Sequence, residues 1–95
     1  MSYVLIVRMK AEEGNEGRAA QVMAELAEAS RAEPGCEAYV PCRETEDARS
    51  FAIFERYRDV AAFEEHGQTE HFQRLAVGEL FPLLESRDRV FFETV

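Results

Sequence analysis

At 95 residues, 46% of them hydrophobic and 11% aromatic, the chain has the length of one domain and enough apolar content for a folded core, though a core thin enough that a partner surface is expected. Its 19 acidic against 11 basic side chains give a formal charge of -8 and a pI near 4.7, a negative field that repels phosphate backbones and argues against nucleic acid as a partner. No long apolar run is present, and the N-terminus enters an alternating pattern without the basic, apolar and small-residue order of a signal peptide, so the expectation is a cytoplasmic protein with no membrane partner.

Residues 3–10 alternate as a strand, with Tyr3, Leu5, Val7 and Met9 on one face and Val4, Ile6, Arg8 and Lys10 on the other. Its first half is apolar on both faces, which predicts helices over one side of the sheet and a second subunit over the other. Asn15 is placed to cap a helix carrying Ala19, Val22, Met23, Leu26, Ala29 and Ser30 at helical spacing, and Pro34-Gly35 stops it. Residues 36–44 and 50–58 read as a hairpin across an acidic turn, and Pro41, which cannot donate a ladder hydrogen bond, predicts an edge strand or a bulge. Cys36 and Cys42, evenly spaced on that strand, are expected to share a face too far apart to bridge and to be free buried thiols.

Asp59 caps a short helix that runs through Phe63 to His66, Gly67 ends it, and Thr69 opens a second helix through Phe72, Leu75 and Ala76 to Leu80, closed by Pro82. Residues 87–95 form the last strand, again apolar on both faces at Val90, Phe91 and Phe92. The order strand, helix, strand, strand, helix pair, strand predicts a single α+β domain over residues 1–95. Its architecture would be a ferredoxin-like four-stranded antiparallel sheet with helices on one face, the bare face covered in a homodimer.

Four segments in order, Ser30-Arg31-Ala32-Glu33-Pro34-Gly35-Cys36, Phe54-Glu55-Arg56-Tyr57, Ala62-Phe63-Glu64-Glu65-His66 and Thr69-Glu70-His71-Phe72, resemble the antibiotic biosynthesis monooxygenase domain over nearly the whole chain. The resemblance implies a dimeric α/β barrel with a pocket in each subunit between sheet and helices. In some members it implies cofactor-free insertion of one oxygen atom into a phenolic polyketide or a hydroquinone. Other branches degrade haem or isomerise a small phosphorylated signal, so the fold alone does not fix the reaction. The axial histidine of the haem branch would fall near Ala76 and its strand-one asparagine near Val7, which disfavours haem. Arg31, Arg43 and Arg74 are scattered without a glycine-rich cradle, which disfavours a phosphorylated substrate. Tyr57 stands where the family often carries tryptophan.

His66 and His71 are the only side chains with an unperturbed pKa near neutrality, about 6.5. His66 is the preferred base of a cofactor-free oxygenase, with dioxygen as co-substrate and a small aromatic or quinol as substrate; a histidine ending a helix also serves as a dipole-compensating cap. His71, in the first turn of the next helix, suits a neutral hydrogen-bonding role beside a catalytic one, and Tyr57 could bond a substrate oxygen. Glu55 would need a partner if buried, with Arg8, Arg89 or Arg56 from a second subunit as candidates. Phe51, Phe63 and Phe72 are expected as core or pocket walls beside Glu55. The two histidines straddle a helix break rather than sharing one face, and no paired Cys/His spacing, dinucleotide fingerprint, P-loop or serine elbow is present, so neither a metal nor a cofactor is expected. A non-catalytic dimeric module that sequesters an aromatic metabolite, and an isomerase of a small carbonyl compound, stand as alternatives.

Overall fold

Alternation builds four strands, β1 (Tyr3–Ala11), β2 (Cys36–Arg43), β3 (Ser50–Tyr57) and β4 (Leu84–Glu93), in a computed structural model that describes residues 1–95. All pairs are antiparallel in the order β2-β3-β1-β4, the ferredoxin-like arrangement expected. Leu5 lies opposite Glu55 and Phe91, and Val7 opposite Ile53 and Arg89, so these side chains share the face beneath the helices. The other face carries the cross-sheet row Val40, Phe54, Ile6 and Val90, with Phe92 beside it, all exposed.

Pro41 is tolerated because β2 is an edge strand, and the bulge falls between Cys36 and Ala38 instead. That extra residue inverts the alternation beyond it. Cys36 faces the helices opposite Tyr57, whereas Cys42 lies opposite Ala52 on the outer face and is exposed; the expectation of two buried thiols on one face is corrected by this bulge.

Helix α1 (Glu16–Arg31) buries Ala19, Val22, Met23, Leu26, Ala27 and Ser30 against the sheet. Asn15 precedes it, but its side chain makes no cap bond. The Gly14 amide donates instead to Glu16 Oε1 at 2.9 Å, in a turn where Gly14 adopts a φ of +92°. Helix α2 (Val60–Gln68) is capped as expected, Asp59 accepting from the Ala62 amide at 2.9 Å.

Thr69 governs the break between the helices. Its hydroxyl donates to the His66 carbonyl at 2.8 Å and accepts from the Phe72 amide at 3.2 Å. The following segment, α3 (Phe72–Leu80), is wound as a π-helix rather than the α-helix its spacing suggested. In an α-helix, Phe72 and Phe81 would sit two and a half turns apart, on opposite sides. With i→i+5 winding they converge, ring centroids 6.1 Å apart. A 3-10 turn, Phe81–Leu83, contains Pro82 and leads directly into β4, which begins at Leu84 rather than at residue 87. No helix is long and apolar enough to cross a membrane.

Candidate active site

The turn after α1 sets the site. Gly35 approaches α2 so closely that a Cβ there would overlap the Ala62 side chain, and its carbonyl accepts from the Arg58 amide at 2.8 Å. Pinned in this way, the turn holds Glu33 against His66, one helical turn beyond Ala62. Glu33 Oε2 lies 2.8 Å from His66 Nδ1 and 2.6 Å from His71 Nε2. A carboxylate oxygen accepts, so the hydrogen-bond network assigns a hydrogen to each of these two ring nitrogens.

His66 Nε2, on the opposite side of the ring, is then the lone-pair nitrogen. It faces Glu55 Oε1 at 3.9 Å, too far for a hydrogen bond. Glu55 Oε1 is instead held by the Tyr57 hydroxyl, which donates at 2.6 Å. His66, Glu55 and Tyr57 are all buried, and the imidazole is enclosed by the rings of Phe72, Tyr57 and Tyr39 at centroid distances of 5.0, 5.3 and 5.7 Å.

Burial dominates the proton affinities. It lowers the pKa of His66, against the opposing pull of Glu33. Burial lifts the Glu55 carboxyl to about 7, although the Tyr57 hydrogen bond and the charge of Arg89 act the other way. The Tyr57 phenol is pushed far up, by burial first and by Glu55 second, and Tyr39 is raised in the same way. Both tyrosines therefore stay protonated, and Tyr57 is the donor to Glu55.

A cleft of about 300 Å³ opens beside His66. β1 contributes Leu5, Val7 and Met9 to it, β3 Ile53 and Glu55, and the helices Phe63, His66 and Phe72; Phe81 and two arginines of β4, Arg87 and Arg89, complete it. The Arg87 guanidinium lies 3.6 Å from the Phe81 ring centroid, and that of Arg89 lies 5.0 Å from the Phe91 centroid. Burial and the charge of Arg89 lower the pKa of Arg87. The cleft is thus mainly apolar, with one imidazole, the two carboxyl groups of Glu55 and Glu64, and two cations.

Of the residues expected at the site, His66, Glu55, Phe63 and Phe72 line the cleft. Tyr57 stands behind Glu55, and His71 behind Glu33; neither reaches the cleft wall. Phe51 does not line it either, although its register partner Met9 does. It packs in the core with the Arg43 guanidinium 5.1 Å from its ring centroid.

Arg8 does not serve Glu55, nor does the chain's own Arg56. They lie on the outer face, where Arg56 bonds Glu37 at 2.8 Å, and Arg89 is the nearby cation. The two histidines do meet, contrary to the expectation drawn from the helix break. The Thr69 turn folds α3 back so that their ring centroids lie 6.3 Å apart, with Glu33 between the facing nitrogens.

Glu33 and Arg87 are the site residues that sequence reasoning missed. Arg87 was legible in principle, since residues 87, 89 and 91 alternate onto the inner face with Phe91. Glu33 offered only its place before a Pro-Gly turn.

The antibiotic biosynthesis monooxygenase family model matches residues 2–77. A Pseudomonas aeruginosa protein, PA3566, is 31% identical with a TM-score of 0.91, the match covering 99% of this chain and 94% of that one. A crystallised antibiotic biosynthesis monooxygenase is 28% identical with a TM-score of 0.90 over 98% of both chains. A Bacteroides thetaiotaomicron protein of unknown function, described as a possible oxidoreductase, is 27% identical with a TM-score of 0.91, covering 98% of this chain and 97% of that one. No curated protein matches the chain. With the family model matched across most of its length and the fold shared throughout, the chain belongs to the antibiotic biosynthesis monooxygenase family.

Proposed function

We propose that the protein is a cofactor-free monooxygenase of a phenolic or quinol aromatic, with His66 as the general base. The observation that carries this reading is the buried imidazole whose Nδ1 is held by Glu33, leaving its Nε2 lone pair at the wall of an apolar cleft. A substrate hydroxyl donates its proton to Nε2. The imidazolium so formed lies between Glu33 and Glu55, which offsets the burial that disfavours it.

Taking a proton from a phenol near pKa 10 onto a histidine near 6.5 is uphill by roughly 5 kcal/mol. Arg87 and Arg89 face the space where the phenolate forms. Hydrogen bonds to charged groups contribute about 1.5–3 kcal/mol each, so two guanidiniums are of the right size to offset that step. The electron-rich anion then reduces dioxygen. One oxygen atom forms the new C–O bond and the other leaves as water, so that a hydroquinone ends as its hydroxyquinone and the substrate supplies every electron.

The apolar row Ile6, Val40, Phe54 and Val90, with Phe92, supports a homodimer closed through the outer sheet face, in keeping with the family. Oxygen uptake measured with a series of hydroquinones tests the reaction, one dioxygen being consumed per substrate. Turnover that continues without oxygen would indicate an isomerase instead. Tight binding without turnover would indicate a sequestering module.

A further inference from the structure

Glu33 serves two imidazoles with one oxygen, and the three groups come from three separately anchored elements. Its carboxylate stands on the turn fixed by the Gly35–Ala62 contact, His66 is buried in α2, and His71 follows the Thr69 hinge. One ligand atom from each, a Glu33 carboxylate oxygen, His66 Nδ1 and His71 Nε2, lies within 4.8 Å of the others. We propose that these three side chains bind a divalent transition-metal ion of the Zn2+ or Co2+ class, with solvent as the remaining ligand.

The distances suit such an ion. Metal–nitrogen and metal–oxygen bonds of about 2.0–2.2 Å place tetrahedral ligand atoms roughly 3.3–3.5 Å apart. Glu33 Oε2 stands 2.6 and 2.8 Å from the two nitrogens, and all three ligand atoms lie within 4.8 Å of one another, so side-chain shifts on the order of 1 Å would admit an ion. Two imidazoles and one carboxylate favour zinc, cobalt, nickel or copper over calcium or magnesium, which take all-oxygen sets. His71 is the most exposed of the three at 20%, and it provides the entry side.

A second, independent feature points the same way. A metal-bound histidine ordinarily donates its other ring N–H to a carboxylate. His66 Nε2 already faces Glu55 Oε1 at 3.9 Å, and that carboxyl is itself anchored by Tyr57 at 2.6 Å. The Glu55 carboxyl therefore stands on the side where a metal-bound His66 would need an outer-shell acceptor, and a closure of roughly 1 Å would complete that hydrogen bond. Binding displaces the hydrogens from His66 Nδ1 and His71 Nε2. His66 then carries its hydrogen on Nε2, and the ionised Glu55 carboxylate can accept it.

One consequence rests on the reading of His66 as the base, although the site itself does not. With its hydrogen on Nε2, His66 has no lone pair toward the cleft, and an occupied site is a switched-off enzyme. The test is titration of chelator-stripped protein with Co2+, followed by visible absorption, and with Zn2+ in competition with a chromophoric chelator. One ion per chain is expected, with cobalt bands of a four-coordinate nitrogen and oxygen set and no thiolate charge-transfer band. Glu33→Gln and His71→Gln, both at partly exposed positions and checked for folding by circular dichroism, should each weaken binding by more than the roughly 10- to 100-fold typical of losing an outer-shell partner. No binding, binding unchanged in both variants, or a thiolate band would overturn the site. Stoichiometric binding that leaves oxygen uptake intact would keep the site and count against His66 as the base.

Discussion

Glu33 and His66 are 33 residues apart in the chain, and Oε2 of the first lies 2.8 Å from Nδ1 of the second in a setting where His66 is buried. This pairing selects the tautomer of the imidazole and fixes which nitrogen meets the cleft. It also places a negative charge beside the imidazolium that proton transfer would create. On the proposed reading of His66 as the base, Glu33 is its positioning residue and opposes the burial that lowers its proton affinity.

Removing only its charge should show this. Glu33→Gln keeps an oxygen that can accept from Nδ1 but loses the compensating charge, so kcat should fall by roughly 10-fold or more with KM nearly unchanged, less than the loss expected on removing the base itself. Steady-state oxygen uptake reports both parameters. Equal changes in kcat and KM, or none, would make Glu33 a packing residue.

Glu55 makes stability depend on pH. Its folded carboxyl is raised from 4.5 to about 7, chiefly by burial, so between these values the folded state binds more protons than the unfolded chain. Stability must then fall as pH rises through that window, by a total on the order of 3 kcal/mol, and level off above it. Glu55→Gln, neutral at every pH and still able to accept from Tyr57, should lose that dependence. Urea midpoints from pH 4 to 8 in both proteins check this; parallel profiles would contradict it.

Much of the fold was legible because period-two alternation in β1 and β3 and the apolar stripe of α1 are local signals. Pro41 marked an edge strand, and Asp59 and Thr69 marked helix ends, for reasons carried by single residues. The bulge that turns Cys42 outward was not legible, since one unpaired residue at 37 leaves no mark in the spacing. Nor was the π-winding of α3, because Phe72, Leu75, Ala76 and Leu80 suit an α-helix equally well. His66, Glu55, Phe63 and Phe72 were singled out from residue type and place, and all four line the cleft. Glu33 escaped because its contacts are made by partners on the far side of the hairpin, and Phe51, expected as core or pocket wall, is core because strand membership does not say which of the two a buried side chain joins.

Gly35 is required by close approach rather than by φ. Gly35→Ala should force the turn and α2 apart, costing roughly 1–3 kcal/mol as overpacked cores do. It should also lengthen the Glu33–His66 contact. Thermal unfolding reads the first effect, and the imidazole nitrogen chemical shifts of His66 the second; a variant of native stability and unchanged shifts would show that the turn has slack.

The outer sheet face supplies a test of assembly. Val90 and Phe92 are 55% and 46% exposed on an edge strand whose neighbour presents Ile6 beside them. A dimer through this face should bury well over about 1,000 Å². Light scattering should give twice the chain mass, and Phe92→Asp, which sets a carboxylate in that layer at a cost of several kcal/mol, should dissociate it. A wild-type chain that stays monomeric at micromolar concentration would contradict the interface.

The central claim is that His66 takes the proton that starts the reaction, and oxygen uptake by His66→Ala with a hydroquinone that wild-type protein oxidises tests it most directly. The variant should retain its fold, and its turnover should fall by roughly 100-fold or more, as loss of a general base produces. Full oxygen-dependent turnover in a folded His66→Ala protein would contradict the claim and leave His66 as a buried structural partner of Glu33.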